Sequence, residues 1–490
     1  MWYEEKLLCI FNIRLVFTGF GVCRVGLVGA RVVINMNRRG FLRVAASVSA
    51  STVLPVCILR QADAEPGFDY VLIAERVQVE LKPGKLTSAM GYNGQVPAPV
   101  LTAKQGRRLR VKLINQLDQA TTIHWHGIRL ENAMDGVPHL TQPPVMSGES
   151  FVYEFTPPDA GTFWYHPHIN SVEQLSKGMV GLLIVEEETP QAFDADVPLI
   201  LKKWRLDETG QFMKLSVPRK AARMGTPGTW QTVNSHHDPV VDIPAGGRIR
   251  LRLANLDNTL TYDVWIDYDG VKHLAYDGMP LNPIRAQQTY AIGSGMRVDA
   301  GLIAPSEQGQ MIPIYRRRGG REERLCVLRT VQADQPKRTT IAALPANPIA
   351  LPELEHAETL KFTFDWSGAV APIGESGKPS FWAINKIPWP GMSKGQIPSP
   401  LARLKLGRSY IFQLKNTSQY HHPIHLHGVV FTVLDSDKRQ IKPYQADTVM
   451  LDKYETIRIA FVADNPGKWM FHCHLIEHMK TGLMGYFVIG

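Results

Sequence analysis

The sequence predicts an all-β protein built from three β-sandwiches of one kind, and three observations lead there. Short stretches of alternating apolar and polar residues recur along the body, as half-buried strands require. Glycine (40) and proline (34) are frequent but aperiodic, which suits many turns and excludes collagen. A motif of glycine, short strand and asparagine returns three times, starting at Gly106, Gly247 and Gly407 and closing at Asn115, Asn255 and Asn416. Spacings of roughly 140 to 160 residues are those of domains, not of a solenoid.

The strands follow in order. Residues 77–81 alternate, and 108–114 read RLRVKLI; 151–155 and 179–185 complete a first domain over 63–190, which closes after the acidic residues 186–188 and Pro190. Residues 248–253 (RIRLRL) mark a second domain, 191–343, whose segment 316–323 reads as a polar hairpin tip. A proline-bearing linker at 344–352 opens the third domain, 344–490, where 409–414 (SYIFQL) repeat the motif strand. A length of 490 residues with 44% apolar content is enough for three such cores.

The formal charge of +9 is concentrated at the start, where residues 1–62 carry eight Lys/Arg against two Asp/Glu. The nearly neutral remainder gives no reason to expect nucleic acid as a partner. Met36 opens MNRRGFLR, and a weakly apolar stretch follows at 44–59. This reads as a leader over residues 1–62, a secretory signal rather than a membrane span. The pair Arg38–Arg39 before Phe41–Leu42 resembles a bacterial twin-arginine signal. It implies export by the twin-arginine machinery and a protein soluble in the periplasm after cleavage near Ala62 or Ala64. Residues 1–35 are then an overcalled start; the alternative is a membrane helix over the apolar stretch 7–20.

Ten of the 16 histidines and one cysteine fall in four short clusters: His124-Trp125-His126, His166-Pro167-His168, His422-Pro423-Ile424-His425-Leu426-His427, and His472-Cys473-His474 with His478. Histidines at i and i+2 on a strand point to one side and can chelate together. Structural zinc needs only four ligands, fewer than these clusters offer. One thiolate with two imidazoles is the copper electron-transfer arrangement. The body's only other cysteine, Cys326, reads as a buried apolar residue.

These motifs, together with Tyr92-Asn93-Gly94-Gln95 and Asp135-Gly136-Val137-Pro138, resemble those of the multicopper oxidases. The resemblance implies three cupredoxin-like Greek-key sandwiches and four copper ions. His422, Cys473 and His478 would hold a type 1 copper, and His124 and His425 a type 2 copper. His126, His166 and His474 would hold one type 3 copper; His168, His427 and His472 would hold the other. Leu483 occupies the family's axial position and cannot coordinate, which implies a three-coordinate type 1 site; Met484 would face away. Met479 stands where some relatives place a proton-relaying glutamate. Asp135 matches the family's acidic residue near the type 2 copper and is expected to donate protons or set the local field. His139, His236, His237, His273, His356 and His421 are isolated or adjacent pairs, and so poor chelators. Trp125 is expected to pack under the ligands.

The implied activity couples four one-electron oxidations to reduction of dioxygen to two waters. Residues 341–410 contain only Met392 and no methionine-rich insertion, so a laccase-like oxidation of phenolic or aromatic reductants is expected. The aromatic stretch with Phe381, Trp382 and Trp389 would form a lip for them. The alternative is a periplasmic cuprous-ion oxidase in copper tolerance. A copper-free structural relative of cell division would lack much of the ligand set. A copper nitrite reductase would lack the paired type 3 site.

Overall fold

The structure, a computed structural model, describes residues 66–490 except 319, 334–337, 369–379 and 394, and the backbone of a hairpin, Ile13–Thr18 with Val22–Leu27. The hairpin lies in a separate unit of residues 1–58, and its first strand occupies part of the stretch where the alternative had a membrane helix. The signal-like segment from Met36 to Ala64 lies outside the described residues. Among the described residues no helix is long and apolar enough to cross a membrane.

Residues 66–490 are almost entirely β, in three pairs of facing sheets. In the first pair, Lys85–Tyr92, Tyr70–Lys82, Leu109–Asn115 and Ser150–Phe155 form one sheet. Leu101–Lys104, Gly181–Glu186, Gly161–His166 and His124–His126 form the other. The middle and last pairs each consist of a six-stranded and a five-stranded sheet, spanning Ala195–Val331 and Glu358–Ile489. These are stacked cupredoxin-like sandwiches. In each, the strand of the repeated motif pairs parallel to the strand that opens the sandwich. Leu109–Asn115 lies beside Tyr70–Lys82, Arg248–Asn255 beside Ala195–Trp204, and Ser409–Asn416 beside Glu358–Trp366.

The closing asparagines explain why the motif recurs. Asn115 donates through Nδ2 to the carbonyls of Gln119 and Val145, and its Oδ1 accepts the Leu117 N–H. Asn255 does the same with Leu260, Ile292 and Asp257, and Asn416 with Tyr420, Asp452 and Ser418. A buried carboxamide thus ties the end of the motif strand to the next loop and to the loop across from it. The glycine that opens the second copy is Gly246, not Gly247. Gly106, Gly246 and Gly407 all adopt positive φ (+70, +71 and +78°), whereas Gly247 does not, and a Cβ there would press on Pro244 and Asp194.

Burial follows the alternation at Leu109, Val111 and Leu113, whose outward neighbours are half-exposed. It does not follow it at Arg248–Asn255, where Arg250 and Arg252 are buried as deeply as the leucines. That face of the middle sandwich is turned inward, and both guanidiniums are paired. Arg250 meets Asp299 (2.6 Å) and Glu187 (2.7 Å), and Arg252 meets Asp196 (2.6 Å).

Asn255 lies in the sandwich that contributes no histidine of the four clusters, so its energetics can be read separately. Asn255→Leu removes three buried hydrogen bonds and orphans two carbonyls and an N–H. The expected loss is about 3 kcal/mol of unfolding free energy, read as a lower urea midpoint at unchanged slope.

Candidate metal centre

Strand register assembles the histidines. His124–His126 runs antiparallel to Gly161–His166, which sets His124 across from His166. His422–Leu426 runs antiparallel to Gly467–Cys473, with Ile424 opposite Cys473 and His425 opposite His472. His124 and His126 therefore face the same way. Trp125 turns into the sandwich, where its ring meets Tyr153, Phe155 and Tyr165.

Five groups of ligand atoms result, each with its atoms within 4.8 Å of one another: His124, His126 and His425; His126, His166 and His474; His168, His427 and His472; His422, Cys473 and His478; and His124, Asp135 and His427. All these residues are buried. None of the six isolated or adjacent histidines belongs to such a group among the described residues. The first and last sandwiches supply every member.

The hydrogen bonds divide all of these rings but that of His168 in two. One nitrogen is anchored to a protein oxygen. His124 Nδ1 meets the Asp135 carbonyl (2.8 Å), His166 Nδ1 the Pro167 carbonyl (3.0 Å) and His425 Nδ1 the Asp447 carbonyl (2.9 Å). His427 Nδ1 meets Asp135 Oδ2 (2.9 Å), and His126 Nε2 meets Asp447 Oδ1 (3.0 Å). The opposite nitrogens of His124, His126, His166, His425 and His474 are buried without any protein partner. Elsewhere they meet only each other: His427 Nε2 lies 3.0 Å and His168 Nε2 3.5 Å from His472 Nε2. In the group around the cysteine, His422 Nδ1 and His478 Nδ1 are 3.0 Å apart, and Cys473 Sγ lies 3.7 and 3.8 Å from them.

An anchored N–H fixes the tautomer and leaves a lone pair on the inward nitrogen. Buried nitrogens without donors are costly unless a cation meets them. The donor set therefore fits metal ions, and imidazoles with one thiolate fit copper. Burial, and then the neighbouring imidazoles, push His126, His168, His422, His427 and His474 well below the ordinary range, so these rings are neutral and ready to bind. Burial pushes the Cys473 thiol up, a preference that a bound cation reverses.

Two profiles described as multicopper oxidase match the chain, at residues 74–190 and 374–490. A crystal structure of a multicopper oxidase from Pseudomonas thermotolerans is 47% identical, covering 86% of this chain and 98% of that one, with a TM-score of 0.80. The enzyme from Pseudomonas parafulva is 45% identical over 86% and 99%, with a TM-score of 0.77. The multicopper oxidase mco of Staphylococcus aureus is 25% identical over 85% of this chain and 87% of its own.

The chain belongs to the multicopper oxidase family. It is a copper-dependent oxidoreductase, with its metal-binding groups in the outer two sandwiches. The middle sandwich of this multicopper oxidase, though none of its described residues belongs to these five groups, reaches the centre through Arg297, a residue that reading the motifs misses. Arg297 clasps Asp447 with two hydrogen bonds (2.6 and 3.0 Å), also donates to the Thr162 carbonyl (2.9 Å), and lies beside Asp277. Asp447 in turn holds His126 and His425. Burial alone would push the Asp447 carboxyl up; the Arg297 charge and the His425 bond outweigh it and hold it well below the usual range. Burial and the Asp447 charge push Asp277 up. Gly127 makes room for this pair, since a Cβ there would sit 2.3 Å from Asp447 Oδ2 and 2.7 Å from Arg297 Nη2. No motif spacing announces Asp447, because its partner lies 150 residues away in another sandwich.

Around the cysteine, Leu483 is buried in the same apolar cluster as Cys473, and its carbonyl accepts the Cys473 N–H (3.1 Å). Met484 and Met479 pack together in a different cluster. Asp135 bridges rings of both outer sandwiches, with Oδ1 3.2 Å from His124 Nδ1 and Oδ2 2.9 Å from His427 Nδ1.

Arg297→Leu leaves the Asp447 carboxylate buried without its counter-ion. The expected cost is about 3–5 kcal/mol, with a lower Tm and less copper retained per chain; Arg297→Lys should recover part of both. The copper-free protein should also be acid-sensitive. Burial pushes His472 and His478 down to about 3, against 6.5 unfolded. The unfolded chain binds more protons in that window, so stability is complete above pH 6.5 and falls as pH drops toward 3. Urea midpoints of copper-free protein across this range check the sign.

Proposed function

We propose that this chain is a four-copper oxidase that reduces dioxygen to two waters with electrons from a low-valent metal ion, cuprous ion foremost. In this reading His422, Cys473 and His478 hold a type 1 copper, and His124 and His425 a type 2 copper. The triads His126–His166–His474 and His168–His427–His472 hold a type 3 pair. When bound, these coppers supply the one-electron steps and the four-electron reduction of dioxygen. Cys473 stands between His472 and His474 in the chain, so one residue of backbone links the thiolate group to the histidine cluster. Asp135 fixes the orientation of His124 and His427 beside the site where oxygen is reduced. Leu483, buried in the same cluster as Cys473, offers no further donor to a copper that His422, Cys473 and His478 would hold, and three donors alone would favour the reduced ion and a higher potential.

The observation that carries the choice of reductant is the cover over His478. Its Nε2–H donates to the Arg223 carbonyl (2.6 Å), and the ring is fully buried, so no phenol can stack on its edge. The aromatic lip expected for phenols is not built either. Phe381 and Trp382 are core residues, while Trp389 lines a separate cavity of about 780 Å³ that reaches His168, not the cysteine group. The Pseudomonas and staphylococcal relatives, described as multicopper oxidases, support the broader class. The Arg38–Arg39 motif supports export to the periplasm.

The test combines copper content, oxygen consumption and a comparison of reductants. The protein should carry four coppers, absorb strongly near 600 nm (a family expectation), and consume one dioxygen per four cuprous ions. It should turn over cuprous ion faster than a dimethoxyphenol; the reverse order would overturn the choice of reductant. Cys473→Ser should lose the blue band and nearly all oxygen consumption while its far-ultraviolet circular dichroism is unchanged.

A further inference from the structure

The hairpin of Lys272–Tyr276 and Met279–Ala286 in the middle sandwich carries a phenol–imidazole pair that belongs to none of the five ligand groups. His273 Nδ1 lies 2.9 Å from the Tyr276 hydroxyl, and both side chains are buried. Residues three apart face opposite sides of a regular strand. Here a bulge between His273 and Ala275 sets one extra residue against the strand Arg297–Ile303, and the two side chains meet. Gln288 Nε2 donates to the same hydroxyl oxygen (3.4 Å), which leaves the phenol to donate its proton to His273. Burial, and then the Arg285 charge, push His273 down to about 4, so its ring is neutral near pH 7 and can accept that proton.

The pair is joined to the metal centre on one side and to the surface on the other. Asp277 follows Tyr276 in the chain, and its Oδ2 accepts the Thr448 N–H (3.1 Å). Thr448 Oγ1 in turn lies 3.1 Å from His425 Nδ1 and 3.2 Å from His126 Nε2. On the other side the Tyr276 ring stacks on Tyr290, with centroids 4.1 Å and planes 9° apart. Tyr444 meets these two rings edge-on, at 5.2 and 6.4 Å. Tyr290 and Tyr444 are half-buried, so the stack reaches the surface. Of the three phenols, Tyr276 is the one with an imidazole at its hydroxyl among the described residues. The Arg285 guanidinium lies over Tyr276 (5.6 Å) and Tyr444 (5.7 Å). Its charge opposes removal of an electron from these rings and reserves their oxidation for a strong oxidant.

We infer that Tyr276 is a redox-active tyrosine, a reserve electron donor to the histidine cluster, and that His273 holds its proton while the phenol is oxidised. The inference rests on the four-copper reading above and is independent of the choice of reductant. It applies when dioxygen meets the reduced cluster and the thiolate group has no electron to deliver. Three electrons then come from the three cluster coppers and the fourth from Tyr276. The phenol O–H bond breaks, the proton bonds to His273 Nδ1, and the electron leaves by way of Asp277 and Thr448. Four protons from solvent complete two waters, so dioxygen is not released partly reduced. The tyrosyl radical, stacked on Tyr290, takes back one electron from a small reductant at the half-buried Tyr444, and the proton returns from His273.

The test uses the copper-loaded Cys473→Ser protein, in which the thiolate group can deliver nothing. It is reduced without air, freed of reductant, mixed once with dioxygen and frozen for electron paramagnetic resonance. A tyrosyl radical should appear, and its hyperfine pattern should narrow when the protein is made with ring-deuterated tyrosine. Adding Tyr276→Phe, which keeps the ring stack, should abolish the signal. Adding His273→Gln, which keeps the phenol but removes the base, should abolish it too. Adding Tyr454→Phe, at an exposed tyrosine outside the stack, should leave it as it was. If dioxygen is consumed and no radical forms, or if the radical survives Tyr276→Phe, the role of Tyr276 is overturned and the four-copper reading stands. If the copper-loaded protein consumes no dioxygen in this single turnover, the four-copper reading falls and the tyrosine's role with it.

Discussion

Every inward-facing imidazole of the first and last sandwiches depends on one constraint: a buried ring must place both nitrogens. A neutral imidazole has one donor and one acceptor, and in every ring but His168 the donor is spent on a carbonyl, a carboxylate or a hydroxyl, the last being Ser294 for His474 (3.3 Å) and Ser418 for His422 (3.2 Å). The acceptor is left pointing into a space where only other lone pairs wait. Such an arrangement is unfavourable by itself and becomes favourable when cations occupy it, so the fold is built for its metal ions. The same burial that makes the rings poor bases keeps them available as ligands at acidic pH.

Holding two sandwiches in register around that space falls to the third. The middle sandwich presents a row of buried arginines, Arg250, Arg252 and Arg297, to carboxylates and hydroxyls of its neighbours. Thr162 of the first sandwich receives Arg252 (2.8 Å) and donates to Asp299 (2.7 Å), and Arg297 crosses to Asp447 of the last. Buried ion pairs add little net stability compared with apolar packing, but they demand one geometry. Here that geometry terminates on His126 and His425, so interdomain position and ligand position are set by the same carboxylate.

The middle sandwich also decides what can approach the thiolate group. By covering His478 with a backbone carbonyl it replaces an open edge with a hydrogen bond. The buried His478 ring is thereby closed to direct stacking by an aromatic molecule.

The sequence by itself determined a great deal. Period-two alternation and the glycine-to-asparagine repeat were enough for three similar sandwiches, because strand burial and a buried carboxamide leave local signatures. The histidines at i and i+2 marked their clusters for the same reason: the pleat puts them on one side. What only the tertiary structure decided lies between sandwiches. The arginines of RIRLRL look like an outer face in sequence and are buried; Phe381 and Trp382 look like a lip and are core. The repeat reads as opening on Gly247, whereas the turn is made by Gly246. Arg297, Asp447 and Arg223 carry no motif at all. Their partners are distant in the chain, and the contacts that give them meaning exist only where the three sandwiches meet.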